Sequence, residues 1–545
     1  MSELDDLKEK AKSGDPEAQV DLGYRYSNGI GVGEDLEEAL KLYRLAADQN
    51  HANGQFNLAG FYFRGKGIVK DRNESFRLYG LAAEQGHSEA QISLGDAYCF
   101  GQGISVDKEM AVKWYLLSAK QGNIRAQYAL GVCYMNGEGV SRNFNEGIKY
   151  YRQVAEQGGD LGLYGLGQCY AYGHGVAQNL KEAVKCYRQA ADQGLAKAQF
   201  ALGDLYYRGE GVAEDTGEAV KWYRLAADQG ESKAQLVLGH IYFIGWGVVA
   251  EDREEAVKWY RLAADQGLAS AQHNLGMAYS GGKGVVEDKK ESYKWYRLAA
   301  KQGMDQAQYS LGRCYAHGGG VAQNLKEAVR WYRLSADQGN AFAQNDLGLA
   351  YSEGLGVPED EKEATKWYRL SAEQGYRGAQ YNLGCNYTIG LCVEKDSEEA
   401  VRLFRLAAEQ GHELAIYNLG VHLRDGDGVS VNEEEAINWW QKGANQGYAS
   451  CQLALGICYE YGNTVSRDLE QSAKWYELAA KQEDSEALFR LGYCYEQGNG
   501  VLKNHTKAAE CYRLAKDLGH ETARARLGLR YRLIRFLQRW RDKLD

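Results

Sequence analysis

One dipeptide, Leu-Gly, returns along this chain at a fixed distance and constrains the fold more than any other feature. Its glycine stands at Gly23, Gly95, Gly131, Gly167, Gly203, Gly239, Gly276, Gly312, Gly348, Gly384, Gly420, Gly456, Gly492 and Gly528, with Ala59 in the second place. Each step is 36 residues except the 37 from Gly239 to Gly276, whose extra residue falls in the loop after Gly247. A period of this length means stacked supersecondary units, and an insertion confined to a loop is what such a stack tolerates. The 545 residues are therefore read as 14 whole units and a partial fifteenth rather than as several globular domains.

Each unit reads as two helices. The first carries Ala-x-x-x-Leu-Gly-x-x-Tyr, as in Ala126, Leu130, Gly131 and Tyr134, which share one helical face. A Gly-x-Gly-Val turn follows, its first glycine suited to a left-handed helix cap. Asp or Asn then opens the second helix in all 14 units, from Asp35 to Asn504, and eleven of these have Glu three residues later. That spacing predicts a reciprocal capping box, in which the Glu side chain returns to the cap's own N–H. The second helix runs on as Glu-Ala-x-Lys-Trp-Tyr-Arg-Leu-Ala-Ala-x-Gln and stops at Gly in 12 units, with Asn50 and Glu483 as exceptions. Cys392 and Thr464 replace the second turn glycine. Helices this short are marginal alone, so stability must come from stacking the Ala, Leu and Tyr faces.

The unit resembles the Sel-one-like repeat (SLR), a relative of the tetratricopeptide repeat, most clearly over residues 198–230 and 307–339. The resemblance spans residues 14 to 528. It implies an all-α, right-handed superhelical solenoid of helix pairs, and a scaffold or adaptor that holds other proteins. The expected organisation is a capping helix at 1–13, the repeat array at 14–520 and a basic amphipathic capping helix at 521–545.

By the same resemblance, the first helix lines the concave face, and the positions three before, one after and four after the anchor glycine meet the partner. These positions vary among otherwise similar units. The candidates are Tyr128, Tyr164, Phe200, His273, Tyr309, Asn345, Tyr381 and Tyr417 at the first, Asp204, His240 and Arg313 at the second, and Tyr207 and Phe243 at the third. Aromatic residues with scattered charge suit protein recognition, although the same rings also serve as packing between repeats. The Trp of the second helix (Trp114, Trp222, Trp259, Trp295 and others) is too uniform to select partners and is read as structural.

The expected partner is another protein or a peptide. A net charge of −10 and a pI near 5.7 argue against nucleic acid. The tail concentrates eight basic residues against three acidic ones beside an apolar stripe. It reads first as a cap, with Arg530, Arg535 and Arg539 available to an anionic membrane surface or acidic partner as the sharper reading. No secretory signal or membrane span is read, so the expected location is the cytoplasm.

Chemistry is not expected. Gly60 to Gly67 nearly spells a phosphate loop but has Gly67 where Ser or Thr must hold Mg²⁺. Ser105-Val-Asp-Lys108 lacks its companion motifs. The 10 His and 11 Cys form no metal-ligand spacing, and the pairs Cys169/Cys186 and Cys494/Cys511, which cysteine-rich members of the resembled family would cross-link, are expected to stay reduced. No cofactor or metal site is expected. Two narrower roles stay open beside the scaffold: a dedicated inhibitor or immunity-type binder of one target, and a host-directed bacterial effector.

Overall fold

A computed structural model describes residues 3–462 and 465–527. Among them the secondary structure is helical, with no strand, and repeats the same helix pair down the chain. The chain divides into two compact units, residues 1–271 with 283–285, and residues 272–282 with 286–545. In the first unit the core runs through residues such as Ala183, Leu202, Tyr223 and Leu238. In the second, one core block gathers Phe404, Leu419, Trp440 and Leu455. The short helix Glu3–Lys12 rests its Ala11, Leu4 and Leu7 on the first repeat.

The anchor glycine has a tertiary purpose. A Cβ built at Gly203 would stand 2.8 Å from the ring of Tyr223, and one at Gly239 only 2.4 Å from Tyr260. The bare backbone lets the second-helix ring lie flat on the first helix, and Tyr223 and Tyr260 are 1% and 3% exposed as a result. Where Ala59 replaces the glycine, the corresponding Tyr79 is only partly buried.

Turn and cap geometry follow the sequence closely, with one correction. All 14 cap residues accept a backbone N–H of the first turn on their side chain, as Asp215 does from Glu218. The reciprocal half of the predicted box is absent. The N–H of Asp35 donates to the carbonyl of Tyr26 at 2.9 Å, and Asn143, Asp215 and Asp252 do the same to Tyr134, Tyr206 and Tyr242. With that donor already held by the first helix, the Glu side chain turns outward to a base three residues on, as in Lys185–Glu182 and Arg402–Glu399. Asn50, Cys392 and Glu483 take positive φ of 58°, 55° and 63°, the conformation glycine supplies in the other repeats. The 37-residue repeat carries its extra residue between Ile244 and Arg253, in the turn after Gly245.

A polar rung that the periodicity did not announce locks the repeats. Gln199, buried at 4%, donates to the carbonyl of Ala191 in the preceding repeat at 3.1 Å. Its own oxygen accepts from Gln229 at the end of the same repeat, 2.7 Å away. Gln91 with Gln121, and Gln344 with Gln374, repeat the arrangement. Eleven of the 14 units carry this first-helix Gln; Leu163, Ile416 and Leu488 stand in its place elsewhere.

Candidate interaction face

Position three before the anchor is half interior. The rings of Tyr128, Tyr164, Phe200, Tyr309 and Tyr381 lie 5.7–6.0 Å from the second-helix aromatic of their own repeat. Each therefore packs one side inward and offers an edge outward. His273 and Asn345, expected on the open face, are buried at 5% and 8%. His273 hydrogen-bonds Ser310 Oγ at 3.2 Å, and Asn345 accepts from Asn382 at 3.2 Å, so the next repeat covers both. Tyr417 is half-buried, and its carbonyl accepts the indole N–H of Trp440.

The other two positions are more open. Tyr207 is 48% exposed and meets Trp246 of the next repeat edge to face at 4.9 Å. Phe243 has the cationic groups of Arg253 and Lys283 over its ring at 5.4 and 5.9 Å. His240 lies at the surface, its ring 5.5 Å from Tyr260. Asp204 has a structural tie: it accepts the phenol of Tyr223 at 2.7 Å, while burial pushes its carboxyl above the usual range. Asp96 with Tyr115 and Glu460 with Tyr476 repeat the motif. Arg313 is exposed, its guanidinium 6.0 Å from the centre of the Tyr309 ring.

Around Tyr309 and Arg313 the structure assembles a cleft of about 440 Å³ within the second unit. Tyr309 donates to Asp346 at 3.1 Å, and burial raises that carboxyl although Arg313 and His317 oppose the shift. Phe342, 50% exposed, bridges Tyr309 at 5.9 Å and Tyr376 at 4.9 Å. Asp346, Phe342, Tyr376 and Trp246 escaped the sequence reading because not one of them was picked out at the three variable repeat positions. The available signal was a large aromatic, Phe342 or Trp246, at a repeat position otherwise filled mostly by polar or charged residues.

Trp222 and Trp367 are buried at 6% each. Cys169, Cys186, Cys494 and Cys511 are free thiols. Ala523 is buried and Leu527 packs on the last repeat, where Arg526 lies 4.8 Å from the Tyr493 ring. Arg530, Arg535 and Arg539, like Thr464, lie outside the described residues. Among the described residues no helix is long and apolar enough to cross a membrane.

Fourteen copies of the Sel1 repeat match between residues 16 and 520. A protective antigen of uropathogenic Escherichia coli strains with the SLR fold is 34% identical, covering 83% of this chain and 97% of its own, with a TM-score of 0.60. A Sel1 repeat protein from Oxalobacter formigenes is 33% identical over 57% of this chain and 90% of its own, with a TM-score of 0.45. An immunity protein from Pseudomonas aeruginosa is 23% identical over 39% of this chain and 81% of its own, with a TM-score of 0.27. No curated protein matches. Helix pairs in register, glycine-seated tyrosines and fourteen matched copies place this chain in the Sel1 repeat family, a helical repeat solenoid family that generally mediates protein–protein interaction and is typically non-enzymatic.

Proposed function

We propose that this chain is a cytoplasmic protein-binding scaffold that holds an extended segment of a partner on its first-helix face. The observation that carries the reading is the contrast between a uniform buried frame and a variable exposed set. Tyr207 with Trp246 in the first unit, and Phe342 with Tyr376 and Arg313 in the second, are large side chains on rigid helices or the turns beside them. Aromatic and arginine side chains held in place lose little freedom on binding, which is why such residues dominate protein interfaces. Outer second-helix faces carry Lys–Glu or Arg–Glu pairs in most repeats and offer a partner little to distinguish one repeat from the next.

The test is capture of partners from lysate of the source cells with the tagged full-length chain, identified by mass spectrometry. A Tyr207→Ala/Trp246→Ala variant and a Tyr309→Ala/Arg313→Glu variant are run beside it, with Lys366→Ala on the outer face as control. Loss of a stoichiometric protein from a face variant but not from the control supports the reading. Equal capture by all variants sinks it.

A further inference from the structure

Arg313 and His317 stand one helical turn apart on the helix Asp305–His317 and line two clefts at once. One is the aromatic cleft of Tyr309 and Tyr376. The other, about 370 Å³, holds Ser280, Lys289, Ser310, Arg313 and His317, and no carboxylate is among its described lining. Both lie within the second unit.

The second cleft exists for reasons visible in the repeat. Ser280 stands four after its anchor, where Tyr207 and Phe243 fill the same space in other repeats. Ser292, with its hydroxyl on the carbonyl of Gly276 at 2.8 Å, keeps the floor small. Gly319 leaves the mouth open, between Gly318 and Gly320 at φ of 72° and 80°. Arg313 rests on an aromatic face, and among the described residues it makes no ion pair. Lys289 is held only loosely by Glu287 at 3.6 Å on the rim. A guanidinium, an ammonium and an imidazole thus border open space beside the Ser280 and Ser310 hydroxyls, the second of which also bonds His273, in a chain whose net charge is −10. This donor set matches an oxyanion, for which arginine offers paired N–H groups.

Resting on the protein-binding reading above, we propose that these joined clefts hold an acidic peptide segment: its oxyanion, carboxylate or phosphoryl, sits on Arg313, Lys289 and His317, and a neighbouring apolar side chain enters between Tyr309 and Tyr376. Arg313 is the shared wall, which sets the acidic and apolar groups within a few residues of each other.

The probe is a random-peptide phage library panned on the intact chain. Selected peptides are then synthesised with Glu, phosphoserine or Gln at the acidic position and titrated by fluorescence polarisation. The expected result is enrichment of Asp or Glu near Leu or Phe, and a loss of about tenfold or more in affinity on Glu→Gln in the peptide or Arg313→Ala in the chain. Lys366→Ala leaves affinity unchanged. Tighter binding of the phosphoserine peptide assigns a phosphoryl source, and weaker or equal binding assigns a carboxylate. Selected peptides without acidic enrichment, or acidic peptides that Arg313→Ala retains, overturn the proposal. If those peptides are instead lost with Tyr207→Ala/Trp246→Ala, the scaffold reading stands while this site falls. A library that yields no binder overturns both.

Discussion

Gly239→Ala tests the seating of the tyrosine ring, because intrinsic propensity and packing predict opposite signs. Replacing a mid-helix glycine by alanine gains about 1 kcal/mol of helix propensity. Gly80, in the helix Arg72–Glu84, has nothing within 4 Å of where an added methyl would stand. Gly80→Ala is therefore expected to stabilise by about 0.5–1 kcal/mol. At Gly239 the methyl would meet Tyr260 at 2.4 Å. Carbon atoms rest about 3.5–4.0 Å apart, so the ring must retreat by roughly 1 Å or more. Tyr260 is 3% exposed and has no free space to enter. Overpacking of this kind costs about 1–3 kcal/mol, which cancels or exceeds the propensity gain. The two variants should then differ by about 1–3 kcal/mol. Repeat arrays do not unfold as one unit, so the assay is native-state hydrogen exchange in the helices Ser232–Ile244 and Arg253–Asp265. Gly239→Ala should speed exchange there by up to about thirtyfold, and Tyr260→Leu in the same chain should recover part of the loss. Protection in Gly239→Ala above the parent chain, as expected for Gly80→Ala, refutes the reasoning.

Three further outcomes are expected. Glu483→Gly relieves a positive φ of 63° and should raise the urea midpoint by an amount equivalent to about 1 kcal/mol, with no gain from Gln482→Gly beside it. His87 and His412 cap helices through Nδ1, accepting from Ala90 and Ala415, and burial holds both imidazoles below the ordinary value. The unfolded chain protonates near pH 6.5 while the folded chain resists, so stability is complete above about pH 6.5 and falls on further acidification. Urea midpoints between neutral and acid pH should flatten when both are replaced by Asn, which caps natively at Asn123 and Asn340. Finally, Cys392 is exposed, whereas burial pushes Cys133 and Cys451 up to about 12. An aromatic disulfide reagent should label Cys392 first, and preferential labelling of Cys133 would contradict the packing.

Periodicity made the helix pairs legible because every repeat carries the same caps and turn glycines, and local chemistry decides both. What it concealed was tertiary. The Asn and Asp caps were readable, but the fate of their own N–H groups was not, since the acceptor is a first-helix carbonyl nine or ten residues back, that of a tyrosine except for Leu423 beneath Asn432. The Leu-Gly anchor was readable as a spacing signal, while its role as a seat for Tyr223 or Tyr260 depends on the second helix. That seat also explains the misplaced His273 and Asn345. A ring drawn flush to the backbone brings position three before the anchor partly indoors, and there a polar side chain can be covered by the next repeat. Sequence variability marked the open positions Tyr207 and Arg313 but not the neighbours Trp246, Phe342 and Tyr376 that turn them into clefts.

The glutamine rungs impose a grain on the molecule. Where the rung is complete, as at Gln91, Gln199, Gln235 and Gln344, it ties a repeat back to the one before it through a carbonyl such as that of Ala191, so shear there must break a buried hydrogen bond. Leu163, Ile416 and Leu488 cannot make that tie, and at the last two an ion pair, Arg405–Glu435 or Arg490–Glu460, spans the junction instead. Apolar contact is non-directional and tolerates sliding, whereas a buried amide pair fixes register. The Leu163 junction, which among the described residues has neither tie, is therefore a seam along which a stretched or heated chain should part early, leaving the better-tied blocks on either side intact.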